Sequence, residues 1–176
     1  MEPCSGVLLV GGESTRFGSP KALARLDGET LAERAWRTLG EACDERLAVG
    51  KLADGLQLPF ELLDDGTEVR AALAGVVAGL RAARHDVCVF LPVDMPTVTA
   101  ELLRELVTAC DEAASPTGSP FPCAIRRTAE AELSERVERG ELGNREALAA
   151  LRTRYLGIEP SLLLNVNTPE ELEKVG

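Results

Sequence analysis

The sequence predicts an α/β protein of three layers, helices on both faces of a mostly parallel sheet, and three observations predict it. Apolar runs of strand length alternate with stretches of helical periodicity from residue 6 onward, the pattern of repeated strand–helix units. Val87-Cys88-Val89-Phe90-Leu91 is an uninterrupted β-rich run, as expected of a central strand covered on both faces. Between residues 68 and 84, Val69, Ala72, Leu73, Val76, Val77 and Leu80 recur at helical spacing and give one buried face.

The elements follow in order. Residues 6–10 form an apolar strand, and residues 11–21 a glycine-bearing loop. A helix then starts at about Thr30, where Thr30 and Glu33 have capping-box spacing and Leu31, Ala35 and Leu39 supply the apolar face. A short strand is expected at 46–49, and the helix of 68–84 leads into the strand at 87–91. Pro92 and Pro96 end that strand in a tight turn and leave Asp94 at its carboxyl end, where open α/β sheets bind ligands. A helix from Thr99 carries Leu102, Leu103, Leu106, Val107 and Cys110 on one face, and residues 115–120, Ser-Pro-Thr-Gly-Ser-Pro, read as a surface loop. The remainder reads as a strand at 121–125, helical segments between 129 and 154, and a last strand at 162–164. At 176 residues, one domain spanning 1–176 is expected.

Composition excludes several classes. A net charge of −10 leaves no broad basic face for nucleic acid, although a few local cations and a metal ion can still hold a triphosphate. No apolar run approaches the roughly 20 residues of a membrane span, and the N-terminus lacks the basic region and apolar core of a signal peptide, so a soluble, cytoplasmic protein is expected. The five cysteines, odd in number and without C-x-x-C spacing, read as reduced, mostly buried thiols. His85, the only histidine, sits between Arg84 and Asp86 at a helix-to-strand junction, a surface position and not a catalytic one.

Three segments carry chemistry. Gly11-Gly12-Glu13-Ser14-Thr15-Arg16-Phe17-Gly18-Ser19-Pro20-Lys21 follows a strand, and its glycines allow backbone N–H groups to approach phosphate oxygens while Arg16 and Lys21 supply charge. The spacing matches neither the dinucleotide fingerprint nor the Walker loop; an ordinary glycine-rich turn is the alternative. Asp94 offers a hard oxygen ligand suited to Mg²⁺, or else caps its turn. In Asn165-Val166-Asn167-Thr168-Pro169-Glu170-Glu171-Leu172, Thr168, Pro169 and Glu171 make a helix start, but that cap leaves Asn165 and Asn167 unexplained. At alternate positions of a strand end, the two asparagines would face one side with both donors and acceptors.

These motifs together resemble the nucleotidyltransferase superfamily, and within it the molybdenum cofactor guanylyltransferases, the MobA-like family. The glycine-loop pattern and Leu9-Val10-Gly11-Gly12 resemble its opening motif, Asp94 its metal-binding aspartate, and the N-x-N-T-P-E-E-L segment its C-terminal motif. Val10, Phe17 and Pro20 depart from the usual residues, and Val49-Gly50-Lys51 lacks an asparagine often found there. The resemblance implies a Rossmann-like, nucleotide-diphospho-sugar-transferase type of fold and Mg²⁺-dependent transfer of GMP from GTP to the terminal phosphate of molybdopterin or Mo-molybdopterin. It further implies that Leu9, Val10, Gly11, Gly12, Arg16, Lys21 and Asp94 contact the nucleotide, that Asp65 touches guanine, and that Gly75 lets a helix approach the base. Arg16, Lys21 and Asp94 would act in catalysis, Asp94 would hold Mg²⁺, and Asn165 and Asn167 would meet the pterin or its phosphates. Molybdoenzyme apo-proteins or their chaperones are the implied recipients. A cytidylyltransferase acting on CTP, another nucleoside-triphosphate transferase, and a non-catalytic nucleotide or pterin carrier remain as alternatives.

Overall fold

The computed structural model describes residues 1–11 and 18–176, so Gly12 and Arg16 lie outside the described residues. Strand β1 (Cys4–Leu9) is buried at every position and lies in the interior of the sheet. A small hairpin, β2 (Arg25–Leu26) and β3 (Glu29–Thr30), follows the first loop. It turns on Asp27 and Gly28, whose φ values of 53° and 81° suit a two-residue turn between twisted strands. Helix α1 (Leu31–Ala42) starts at the expected capping box, with Glu33 N–H donating to Thr30 Oγ1 and Thr30 N–H donating to Glu33 Oε2.

The chain continues through β4 (Glu45–Gly50), β5 (Leu63–Asp64), α2 (Ala72–Ala82), β6 (Val87–Pro92), α3 (Ala100–Ala109), β7 (Ala113–Pro116) and β8 (Cys123–Arg126). It ends with α4 (Glu130–Glu138), α5 (Asn144–Ala150), β9 (Thr153–Leu156) and α6 (Pro169–Glu173). The main sheet has seven strands in the order β5-β4-β1-β6-β8-β7-β9. Antiparallel pairing in it is confined to the two flanks of β8, so the sheet is mostly parallel, as expected. Helices α1 and α3 pack together on one face and α2 and α4 on the other, which completes the three layers.

Close helix–sheet approach depends on Gly79 in α2. A Cβ there would lie 2.8 Å from Val7 Cγ1 and 2.9 Å from Phe90 Cε1, distances at which β1, β6 or the helix must move.

Four expectations are corrected. Ser115 and Pro116 are not in a surface loop: they end strand β7, where Ser115 is fully buried and its hydroxyl donates to Ser119 O at 2.6 Å. Residues 153 and 154, read as the end of a helical stretch, instead open strand β9 (Thr153–Leu156) beside β7. The strand at 162–164 is instead a 3₁₀ turn, Pro160–Leu163, opened by a proline whose fixed φ and missing N–H suit the first position of a helical turn. Helix α2 begins four residues later than residue 68, because the carbonyls of Thr67 and Val69 accept hydrogen bonds from the Lys51 side chain in place of helical N–H groups.

All five cysteines are free thiols. Burial pushes Cys88 up to about 12 and Cys110 up to about 11. An unfolded thiol ionises lower, at about pH 8.5. Between those values the unfolded chain holds fewer protons than the folded one, so stability falls as pH rises.

Three outcomes are expected. Gly79→Ala lowers the urea-unfolding free energy by about 1–3 kcal/mol. The urea midpoint of the unsubstituted chain also falls between about pH 8.5 and 11, and native Cys88 and Cys110 resist alkylation by iodoacetamide at about pH 8; rapid alkylation of both would contradict their burial.

Candidate active site

The carboxyl ends of β1, β4 and β6 open onto a cavity of about 690 Å³. The volume falls inside the roughly 300–1,000 Å³ range of small-molecule sites. Leu9, Val10 and Gly11 extend from β1 into its wall, Lys51 follows β4, and Asp94 follows β6. The first loop returns Lys21 to the same wall on a 3₁₀ turn, Lys21–Leu23. Asp65, Gly75 and Asn165 also line the cavity. Every expected site residue that is described therefore lies on this wall except Asn167, which reaches it through Lys21.

That link joins segments far apart in the chain. The Lys21 ammonium donates to Asp94 Oδ2 at 3.3 Å and to Asn167 Oδ1 at 3.2 Å. Both exceed the roughly 2.7–2.9 Å of a tight charge-assisted bond, so the cation is shared between acceptors. The backbone holds the same join, with Val166 N–H donating to Asp94 O at 2.8 Å. Val166 itself is buried against Leu26, Leu31 and Leu172, a small apolar cluster separate from the main core. Asn165 and Asn167 thus flank a buried residue, and the alternation expected of a strand end is kept in an irregular segment without a β ladder.

Capping of α6 explains the rest of that motif. Thr168 Oγ1 accepts from Glu171 N–H at 3.2 Å. The Glu171 carboxylate turns back to accept from Asn167 N–H at 2.6 Å, one residue before the position of an ordinary capping box. The cap therefore fixes the backbone of Asn167.

Asp65 is engaged by protein groups. Its Oδ1 accepts from Lys51 Nζ at 2.7 Å and from Thr67 N–H at 3.2 Å. Gly75 faces the floor, where a Cβ would come 3.0 Å from Leu9 Cδ2 and 3.9 Å from Val49 Cγ1. Helix–sheet packing alone accounts for a glycine there. Lys51, the Arg70–Asp54 pair and Phe121 also line the cavity, and sequence reasoning does not single them out. Lys51 stands in the segment noted for its missing asparagine; that departure is the one signal the sequence carries. His85 does not line the cavity, and its backbone N–H donates to Ser5 Oγ at 3.3 Å.

Charge in the described wall is balanced. Lys21 pairs with Asp94, Lys51 with Asp65 and Arg70 with Asp54. A metal ion finds little here on its own: among the described residues no three of His, Cys, Asp and Glu gather closely enough to hold one. Asp94 fits Mg²⁺ only as one carboxylate in a shell completed by water and substrate phosphate, which is the usual manner of Mg²⁺ binding.

Comparison with known proteins bears on the family and the fold. The family model described as the MobA-like NTP transferase domain matches residues 6–155. A probable molybdenum cofactor guanylyltransferase of Chloroflexus aggregans is 33% identical, over 97% of this chain and 92% of that protein. The crystal structure of molybdopterin-guanine dinucleotide biosynthesis protein A from Archaeoglobus fulgidus superposes with a TM-score of 0.83 at 25% identity, over 97% of this chain and 96% of that one. The 2-C-methyl-D-erythritol 4-phosphate cytidylyltransferase of Thermus thermophilus shares the fold, with a TM-score of 0.74 at 20% identity over 99% and 97% of the two chains.

Removing the cap of α6 should loosen the C-terminal wall. Thr168→Ala is expected to cost about 1 kcal/mol and to speed amide hydrogen exchange in residues 165–172 while β1 and β6 stay protected. Unchanged exchange in that segment would show that the cap does not hold Asn167.

Proposed function

The chain belongs to the MobA-like NTP transferase family, and on that premise we propose that it transfers GMP from GTP to the terminal phosphate of molybdopterin, with or without molybdenum, and releases pyrophosphate. One observation carries this reading: Lys21 meets both Asp94 and Asn167 at the wall of one cavity, so the phosphate-loop lysine, the strand-end aspartate and the C-terminal asparagine motif share a site. The guanylyltransferase relatives support the choice of reaction.

In the proposed reaction a phosphate oxygen of the acceptor attacks the α-phosphorus of GTP. A new P–O bond forms there, the bond from the α-phosphorus to the bridging oxygen breaks, and the electron pair leaves with pyrophosphate. The acceptor phosphate, with a second pKa near 6, is already largely ionised at neutral pH, so no strong general base is required. The cavity wall accordingly acts by alignment and charge. Lys21, with Arg16 and the N–H groups of Gly11 and Gly12, would hold the triphosphate over the ends of β1. Leu9 and Val10 would form the floor under the nucleotide, and Gly75 would leave room beside the base for which Asp65 provides an acceptor. Asn165 and Asn167 would bind the acceptor's phosphate or pterin. Mg²⁺ held by Asp94 and the triphosphate would supply charge neutralisation at the phosphates. The Lys21 ammonium, whose contacts to Asp94 and Asn167 are long, could turn from them toward a phosphate oxygen.

The reading is tested by measuring pyrophosphate release with molybdopterin, Mg²⁺ and each of GTP, CTP and ATP. GTP is expected to support turnover, chelation of divalent cations to abolish it, and Asp94→Ala to lower kcat by about 100-fold or more with an unchanged circular dichroism spectrum. Turnover with CTP alone would reassign the base, and nucleotide or pterin binding without any pyrophosphate would make the protein a carrier.

A further inference from the structure

Lys51, the first residue after β4, is buried, with only 9% of its surface exposed. An ammonium has three N–H donors, and here each has an acceptor. They are Asp65 Oδ1 at 2.7 Å, Val69 O at 2.8 Å and Thr67 O. The Asp65 side chain is itself 6% exposed, and its Oδ1 is shared with Thr67 N–H. Oδ2 has no hydrogen-bond partner among the described residues, although Asp65 lines the cavity.

A buried ion pair of this kind is a weak stabiliser, since well-packed apolar side chains often serve as well. Its contribution here is geometric. The single ammonium ties the end of β4 to residues 65–69, holds their carbonyls away from α2, and fixes which oxygen of Asp65 is left over. The following residues, Arg70, Ala71 and Ala72, continue along the cavity wall.

We propose that Lys51 is a positioning residue that sets nucleobase choice, by fixing the turn at residues 65–69 so that one carboxylate oxygen of Asp65 is offered to a base edge rich in N–H donors. This rests on the reading that a nucleoside triphosphate occupies the cavity. Guanine presents N1–H and N2–H₂ side by side, two donors for such a carboxylate, whereas cytosine offers the single N4–H₂ donor beside its N3 and O2 acceptors and satisfies it less fully. The same clamp keeps Asp65 from swinging toward the phosphates.

The test is calorimetric titration of GTP, CTP and ATP with Mg²⁺ into the full chain, its Lys51→Met variant and its Asp65→Asn variant, with steady-state kinetics beside it. The expected result is a preference for GTP in the unsubstituted chain. In Lys51→Met the GTP dissociation constant rises about tenfold or more, the GTP-to-CTP ratio shrinks, and KM rises by a larger factor than kcat falls. Asp65→Asn retains the two carbonyl acceptors of Lys51 and is expected to lose discrimination similarly; it decides the matter if Lys51→Met fails to fold. Unaltered base ranking in both folded variants, or an equal weakening of all three nucleotides, overturns the inference and leaves the transferase reading standing. Absence of any nucleotide binding by the unsubstituted chain overturns both.

Discussion

The shared contacts of the Lys21 ammonium with Asp94 and Asn167 are the constraint around which the site is arranged. Three segments separated by most of the chain must arrive together for it to form. The parallel strands bring Leu9, the end of β4 and Asp94 to one edge of the sheet, because every strand beside β1 runs in its direction. The C-terminal segment arrives by another route. Val166 enters the small cluster of Leu26, Leu31 and Leu172 and gives its N–H to the Asp94 carbonyl, so apolar burial and one backbone bond place the asparagines without a β ladder. A part-buried ion pair with long contacts is weak evidence for stability, because desolvation offsets its attraction. Its significance is where it holds charge.

A net charge of −10 and a polyanionic substrate are reconciled by that local arrangement. The described wall stores its cations in pairs with carboxylates, and a pair of this kind could exchange a partner for a bound anion. Lys21 is suited to exchange, because its contacts to Asp94 and Asn167 are long. Lys51 is not, with all three donors committed in a buried setting. Two lysines in one cavity are therefore held differently, one by long shared contacts and one by a closed set of buried acceptors.

Much of this was legible in the sequence where the signal is local. The Thr30–Glu33 box, the run at 87–91 and the apolar face of the helix from Thr99 specify their elements through neighbouring residues, and the structure has all three elements. Lys21, Asp94 and the paired asparagines were legible as a combination of motifs, and they share one site. What escaped depends on distant partners. Ser115 and Pro116 read as a loop because a serine and a proline are poor strand formers, yet β8 and β9 on either side of β7 bury them. Lys51 read as a departure from a pattern because its acceptors lie 14 to 18 residues further on. The start of α2 shifted for the same reason, since no window of periodicity contains the side chain that takes its carbonyls.

A crystal structure with a non-hydrolysable GTP analogue and Mn²⁺ in place of Mg²⁺ tests the central claim most directly. The account predicts an anomalous peak beside the Asp94 carboxylate, the triphosphate within hydrogen-bond reach of Lys21 Nζ, and Asn165 and Asn167 at the same rim. An analogue bound on another surface, with Lys21 still joined to Asp94 and no ion between Asp94 and phosphate, would contradict it.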